Sequence, residues 1–445
     1  MAAVDRVNPS ELVKNCLRIE KNPSREESLV IRLEEEEQVY RLSEYDRIFA
    51  IGFGKASARM ALGLEAVLKY RLFGGIIAVK EGHTEKLKRL SIMEAGHPVP
   101  DERSVQAAEA MLGLGGSFGP GLTDRDLVIV LVSGGGSAIL CSPAPGLKLQ
   151  DKSVVTRQLL ASGAAIHEVN CVRKHLSGIK GGRLAAALAP AAVLTLVLSD
   201  VVGDDLDAIA SGPTVPDPSS FDDAVGIIRR YGLEESLPKA AMQHLLKGQA
   251  GLVPDSPKPG DAAFIKAKTL VVGSNRLALL AAEAKAKQLG YNSLLLTSRL
   301  EGEAREAAMF FLAMAKDIAV SDFPAKKPAC LIAGGETTVT LKGSGKGGRN
   351  QEMALAFLAA LGRNPKDGKG LTFLSAGTDG NDGPTDAAGA AASLELYERA
   401  VMQGLKPEAA LANNDSYSFF EKAGGHIKTG PTNTNVCDIQ LLLVT

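Results

Sequence analysis

Short β-branched runs recur along this chain, each leading into a glycine-rich corner and then an alanine- or leucine-rich stretch with helical spacing. The pattern is clearest at RIFAIGFGKASARMALGLEAVL (47–68), which the strand-like GGIIAVK (74–80) follows. It returns at DLVIVLVSGGGSAIL (126–140), AVLTLVLSDVVGDD (192–205) and KTLVVGSNRLALLAAEAKAKQLG (268–290). Strands alternating with helices predict a mostly parallel sheet covered on both faces. Ligands of such sheets bind at the carboxyl ends of the strands, where these corners fall. The run LAAALAPAAVLTLVL (184–198) reads as a helix end and then a buried strand; it is broken by Pro190 and too short to span a bilayer. The acidic run EEEEQ (34–38) lies between LVIRL and VYRLS and reads as a solvated hairpin edge.

Periodicity fades in KGQAGLVPDSPKPGDAAF (247–264), a proline- and glycine-rich stretch that reads as a linker. The expected organisation is a Rossmann-like α/β domain over 1–255 and a smaller α/β domain over 256–445. The second half has its own alternation in KTLVVGS, NSLLLTS, ACLIAGGETTVTLKG, LTFLSAGTDG and NVCDIQLLLVT. A cleft between the halves is the expected place for a ligand.

Composition narrows the function classes. A chain of 445 residues with 45% hydrophobic and 23% charged residues fits a soluble globular protein of two or three domains. A formal net charge of −1 and 4% aromatic residues give no basic field and few stacking platforms, so neither nucleic acid nor an anionic membrane is an expected partner. Cys16, Cys141, Cys171, Cys330 and Cys437 are scattered, with no metal or disulfide spacing. The N-terminus lacks an apolar core behind a basic start, and a cytoplasmic location is expected.

Several corners could carry chemistry. Gly52-Phe53-Gly54-Lys55-Ala56-Ser57 holds two glycines of a dinucleotide fingerprint but has serine in the third place; Glu81 could act as the ribose-binding acid. It is not a phosphate-binding P-loop, since Phe49 stands where the first glycine is needed. Free N–H groups at a helix start attract anions, and Lys55 adds a full charge. Ser133-Gly134-Gly135-Gly136-Ser137 follows a very apolar strand and can aim several N–H donors at one bound group. His167, Arg173, Lys174, His175, Lys180 and Arg183 concentrate on one helix-like run; a small anion or a solvated helix face would both explain them. Arg173, Lys174 and His175 are adjacent, so some must point away from any site. Asp200 ends a buried strand, where a carboxylate can accept a hydroxyl proton or hold Mg²⁺. Asp204, Asp205 and Asp207 read as loop or capping residues. Gly343-x-Gly345-x-x-Gly348 precedes an apolar-striped helix, with Lys346 and Arg349 beside it and Asn350 as the expected N-cap; it reads as a cationic lid for a polyphosphate. Asp379, Asp382 and Asp386 sit among glycines, fit for a cation, ribose hydroxyls or Asx turns. No nucleophilic triad assembles, and the inventory suits phosphoryl transfer.

Taken together, GFGKAS, LVSGGGSA, NCVRKHLSGIKGGRLA, LSDVVGDDLDAIASGPTVPD, GGETTVTLKGSGKGGRNQEMAL, SAGTDGNDGPTDAAGA and GHIKTGPTNTNVCDI resemble the class II glycerate kinases, glycerate 2-kinases with a C-terminal MOFRL domain. The resemblance runs over nearly the whole chain in the same motif order. It implies transfer of the γ-phosphate of ATP to the 2-hydroxyl of D-glycerate, with Mg²⁺ as cofactor. It further implies two α/β domains with the site in the cleft between them. It implies Lys55, Asp200 and Arg349 as catalytic residues; Asp200 is expected to take the hydroxyl proton, the metal, or both. Lys55 and Arg349 would neutralise the phosphoryl group from opposite domains. Gly54, Ser133, Gly134, Gly135, Gly136, Ser137, Arg173, Lys174, Glu336, Lys346, Asn350, Asp379 and Asp382 are the candidate ATP- and substrate-binding residues. The alternatives are an NAD(P)H-dependent hydroxypyruvate reductase and a non-catalytic sensor of a phosphorylated sugar acid. The protein is expected to work as a monomer or homodimer.

Overall fold

The computed structural model describes residues 1–33, 36–117 and 121–445, and it divides into two units. The first unit takes in Pro9–Ser199 and Asp204–Val272; the second takes in Met1–Asn8, Asp200–Gly203 and Gly273–Thr445. The linker-like stretch 247–264 lies inside the first unit.

The first unit opens with an antiparallel sheet of β1 (Leu17–Lys21), β2 (Glu27–Leu33) and β3 (Glu36–Arg41). Leu33 pairs with Glu36, as a hairpin at the acidic run requires, while Glu34 and Glu35 lie outside the described residues. A second sheet holds β4 (Arg47–Phe53), β5 (Leu72–Lys80), β6 (Ser91–Ala95), β7 (Asp126–Val132), β8 (Ala192–Leu198) and β9 (Ala267–Gly273). Its order is β6-β5-β4-β7-β8-β9, and the pairs β4–β5, β4–β7, β5–β6 and β7–β8 are all parallel. β7 and β8 are buried along their whole length, which is why both read as unbroken apolar runs. The helix Arg183–Leu188 ends before Pro190, and β8 begins two residues after it, as the sequence predicts. The helices Leu149–Ala161, Ile166–His175, Phe221–Arg230 and Lys239–Gln249 build a separate apolar cluster around Val172, Phe221, Ile228 and Leu245.

The KTLVVG run, which the pattern groups with the second half, is the edge strand β9 of this first sheet. A short apolar run reads the same whichever sheet it joins, so its partner is invisible to periodicity.

The second unit's sheet is β10 (Asn292–Leu300), β11 (Ala329–Gly335), β12 (Leu371–Gly377), β13 (Gly389–Ser393), β14 (His426–Ile427) and β15 (Asp438–Val444). The order is β10-β11-β15-β12-β13-β14. Only β10–β11 is parallel among the described pairs; the C-terminal strand β15 runs antiparallel to both β11 and β12. This sheet is therefore mixed rather than mostly parallel. The helix Arg349–Arg363 is buried on all sides from Asn350 to Leu361. It stacks Phe357 on Phe373 of β12, with ring centroids 4.7 Å apart. A helix apolar all round belongs in the centre of a domain, and this one forms the second unit's core.

Candidate active site

In the first unit, β4, β5 and β6 build outward to one edge of the parallel sheet, whereas β7, β8 and β9 build outward to the other. The reversal lies between β4 and β7, where loops diverge and such sheets hold their ligands. The two corners singled out by sequence meet there. The Lys55 amide donates to the Gly134 carbonyl (2.9 Å), and the Ala56 amide donates to the Ser133 hydroxyl (3.0 Å). Gly54 has φ +126°, and a Cβ on it would lie 2.3 Å from Ser133 Oγ, so the close approach of the two turns demands glycine. A Cβ on Gly135 would lie 2.8 Å from the His97 ring and 3.4 Å from Lys55 Cε, which places both side chains against the turn. Gly136 packs on the Phe53 ring. The Ser137 hydroxyl sits 3.0 Å from that of Ser211.

The cation-rich run separates into three kinds of residue. Lys174 is buried and ion-paired with Asp207 and with Asp217, the latter at 3.3 Å, so its charge is neutralised internally. His175 is buried between the Cys171 carbonyl (2.8 Å) and Asp255 (2.9 Å), and Arg183 donates to the carbonyls of Lys174 and Lys180. Lys180 is buried with its ammonium on Ser137 O (3.1 Å), Ser137 Oγ (3.2 Å) and Ala210 O (3.2 Å). Arg173 is only half-buried and donates to Asn170 Oδ1 at 3.3 Å. Burial drives Lys180 well below its ordinary value, and the neighbouring Arg173 and Lys152 charges push the same way.

A second cluster lies in the second unit. Arg349 opens the central helix and grips Asp438, at the start of β15, through Nε (2.5 Å) and Nη2 (3.0 Å). Its Nη1 pairs with Glu336 at 2.9 Å. Burial alone would lower the Arg349 pKa, but the bidentate bond to the fully buried Asp438 overrides it and holds the guanidinium firmly charged. The Cys437 thiol donates to the Asp200 carbonyl at 3.1 Å and lies 3.9 Å from Glu336 Oε2. Asp200, Glu336, Arg349 and Asp438 thus gather around one buried thiol. Burial, then the Glu336, Asp200 and Asp438 charges, push that thiol's pKa far up, so it is no nucleophile.

Next to Arg349 lies a cavity of about 490 Å³, lined by Glu336, Thr337, Gly347, Gly348, Glu352 and Asn414 among others. That volume suits a small ligand or nucleotide. The glycine loop runs along it, and its amides are partly spent: Gly345 N–H donates to Asn413 O (2.9 Å) and Lys346 N–H to Asp415 Oδ1 (3.0 Å). The Lys346 ammonium lies over the Tyr417 ring, 4.3 Å from its centroid.

Asn350 is not the cap of its helix. Gly348 holds that position, because a Cβ there would lie 2.3 Å from Asp382 Cγ. The capping oxygens come from Asp382, which accepts from the amides of Asn350 (3.1 Å) and Gln351 (2.8 Å) and from the Gln351 side chain (3.0 Å). Asp382 is buried and fully occupied by this work. Asp379 accepts from the Asn381 amide at 3.0 Å, an Asx turn, and Asp386 binds Tyr417 and Lys428. Glu81 is exposed and paired with Arg103. Asp205 accepts from the Asp207 amide at 3.0 Å, a loop role as expected.

Sequence reasoning missed His97. Burial, then the Lys55 and Lys80 charges, hold its pKa down at about 4, so it is a neutral imidazole at the turn. A signal existed: His97 follows the end of β6 by two residues, as Lys55 follows β4 and Asp200 follows β8. Among the described residues no three His, Cys, Asp or Glu side chains gather to hold a metal, and no helix is long and apolar enough to cross a membrane.

A lysine and a glycine corner at the switch point of a parallel sheet, and an anchored arginine in a mixed-sheet unit, mark the two units of an α/β protein. Residues 1–246 match the family described as a domain of unknown function, DUF4147, and residues 329–438 match the MOFRL family. The chain belongs to the glycerate kinase family that joins these two parts. A D-glycerate 2-kinase from Thermotoga maritima is 42% identical over 90% of this chain and 91% of its own length. A protein from Agrobacterium vitis, provisionally named a hydroxypyruvate reductase, is 43% identical over 89% of this chain and 87% of its own. The crystal structure of a glycerate kinase from Thermotoga maritima is similar with a TM-score of 0.85 and 38% identity, covering 100% of this chain and 97% of that one.

Proposed function

We propose that this protein is a glycerate 2-kinase, transferring the γ-phosphoryl group of ATP to the 2-hydroxyl of D-glycerate and releasing 2-phospho-D-glycerate and ADP. The observation that carries the reading is the meeting of the Lys55 turn with the Ser133–Ser137 turn at the sheet's switch point. The likeness to glycerate kinases supports it over nearly the whole chain.

The roles follow from charge and donor count. The substrate O2 attacks the γ-phosphorus as the bond to the β-bridging oxygen breaks, and Asp200 accepts the hydroxyl proton. Lys55 neutralises charge on the transferring group. Arg349 spends three of its five N–H donors on Asp438 and Glu336, leaving two for phosphoryl oxygens. The 490 Å³ cavity beside Arg349 is assigned to the nucleotide. Mg²⁺ bound with ATP would need only one or two protein carboxylates beside the phosphates, and Asp200 is the residue that would hold it and screen the phosphate charge.

A second reading, hydroxypyruvate reduction, comes from the name carried by the Agrobacterium relative. The geometry at Gly54 weighs against it, since that glycine closes on Ser133 rather than opening to a pyrophosphate, and Glu81 is tied to Arg103. One assay separates the two: ADP release from MgATP with D-glycerate, run beside NADH oxidation with hydroxypyruvate. Glycerate-dependent ADP, lowered about 10²–10³-fold in Lys55→Met, is expected. NADH oxidation without ADP would overturn the kinase reading.

A further inference from the structure

Three cations of the first unit, Lys152, Arg173 and Lys180, make no ion pair among the described residues, although Lys152 and Lys180 are buried. Their donors are not equally spent. Lys180 gives its ammonium protons to Ser137 O, Ser137 Oγ and Ala210 O, and Lys152 donates to Ser142 O at 3.4 Å. Lys174, next to Arg173 in the chain, is closed off by two aspartates. Arg173 alone keeps most of its fork unused: its one hydrogen bond among the described residues is from Nη1 to Asn170.

That bond begins an unbroken polar chain. Asn170 Oδ1 also accepts from the Ser211 hydroxyl (3.2 Å), which meets the Ser137 hydroxyl (3.0 Å), which accepts from Lys180 (3.2 Å). Ser137 is half-exposed and ends the glycine turn that holds the Lys55 amide. The guanidinium therefore stands at the far end of the corner that carries the lysine assigned to the phosphoryl group.

We propose that Arg173 binds the carboxylate of the hydroxy-acid acceptor. This rests on the kinase reading and adds to it the group that recognises the acid. A planar fork with several unspent N–H donors matches a carboxylate bidentately. Asn170, which holds Nη1 and Ser211 together, is a positioning residue.

The test is steady-state kinetics on the full chain with D-glycerate and MgATP for the wild type, Arg173→Ala and Arg173→Lys. Arg173→Ala should raise KM for D-glycerate by at least about 30-fold, the effect of removing one partner of a desolvated charge pair. KM for MgATP should stay within about twofold, since no phosphate contact is lost. Arg173→Lys keeps the charge and the packing but not the fork, so a large part of the defect should remain. An unchanged glycerate KM in a wild-type-like enzyme, or a rise confined to MgATP, would overturn this assignment alone. A wild type that releases no glycerate-dependent ADP would overturn the kinase reading and this assignment with it.

Discussion

Arg349 holds the fold together and is also the residue proposed to act from the second unit. Its grip on Asp438 neutralises a fully buried carboxylate, so Arg349→Ala removes the cation proposed to face the phosphoryl group and leaves a buried charge unpaired. The single variant should therefore lose about 3 kcal/mol of stability as well as turnover. Adding Asp438→Asn should restore most of the thermal stability but none of the activity. Recovery of turnover in the double variant would remove Arg349 from the reaction. His97 makes a prediction of a different kind. Its pKa is depressed in the folded protein to about 4 from an ordinary 6.5, so folding disfavours its protonation. The stability tied to its neutral form is complete above pH 6.5 and falls away as the pH drops towards about 4. Denaturant unfolding should show a shallower loss over that window in His97→Gln than in the wild type. Equal slopes would contradict the depressed value. Lys55 and Arg349 were legible as strand-end and helix-start cations. His97 was overlooked because a lone histidine beside a proline has no motif around it.

Among the elements, the central helix Arg349–Arg363 is the most revealing. Its apolar stripe was plain in the sequence, but its burial on every side was not. Nor was its cap legible, since Asp382 lies 31 residues beyond Gln351 in the chain and no local spacing links them. Helix starts are read from nearby Ser, Thr, Asp or Asn, which is why Asn350 attracted the role. Asp382→Ala should cost about 1–2 kcal/mol through the lost cap, seen as a thermal midpoint lower by about 2–8 °C. An unchanged midpoint would mean that the amides of Asn350 and Gln351 find other acceptors. Strand existence was similarly clear, because β7 and β8 are continuous apolar runs, whereas strand direction was not. The antiparallel insertion of β15 between β11 and β12 leaves no trace in a pattern that records burial alone.

For the whole molecule, the sequence pattern made the α/β class and the resemblance to glycerate kinases visible, because each strand is short, apolar and followed by its own corner. It placed the KTLVVG run with the wrong neighbours, since the run is the same whichever sheet it edges. It offered the cation-rich segment 167–183 as one feature; three-dimensional pairing separates it into an internal ion pair, a buried lysine on carbonyls and one available fork. The central claim is that the phosphoryl group goes to the 2-hydroxyl of D-glycerate. Phosphorus NMR of the reaction product tests it most directly. A 2-phosphate couples to the single proton on its carbon, so the account predicts a new doublet that grows with ADP. A triplet from a phosphate on the CH₂ carbon, or no new phosphorus signal beyond ADP and inorganic phosphate, would contradict it.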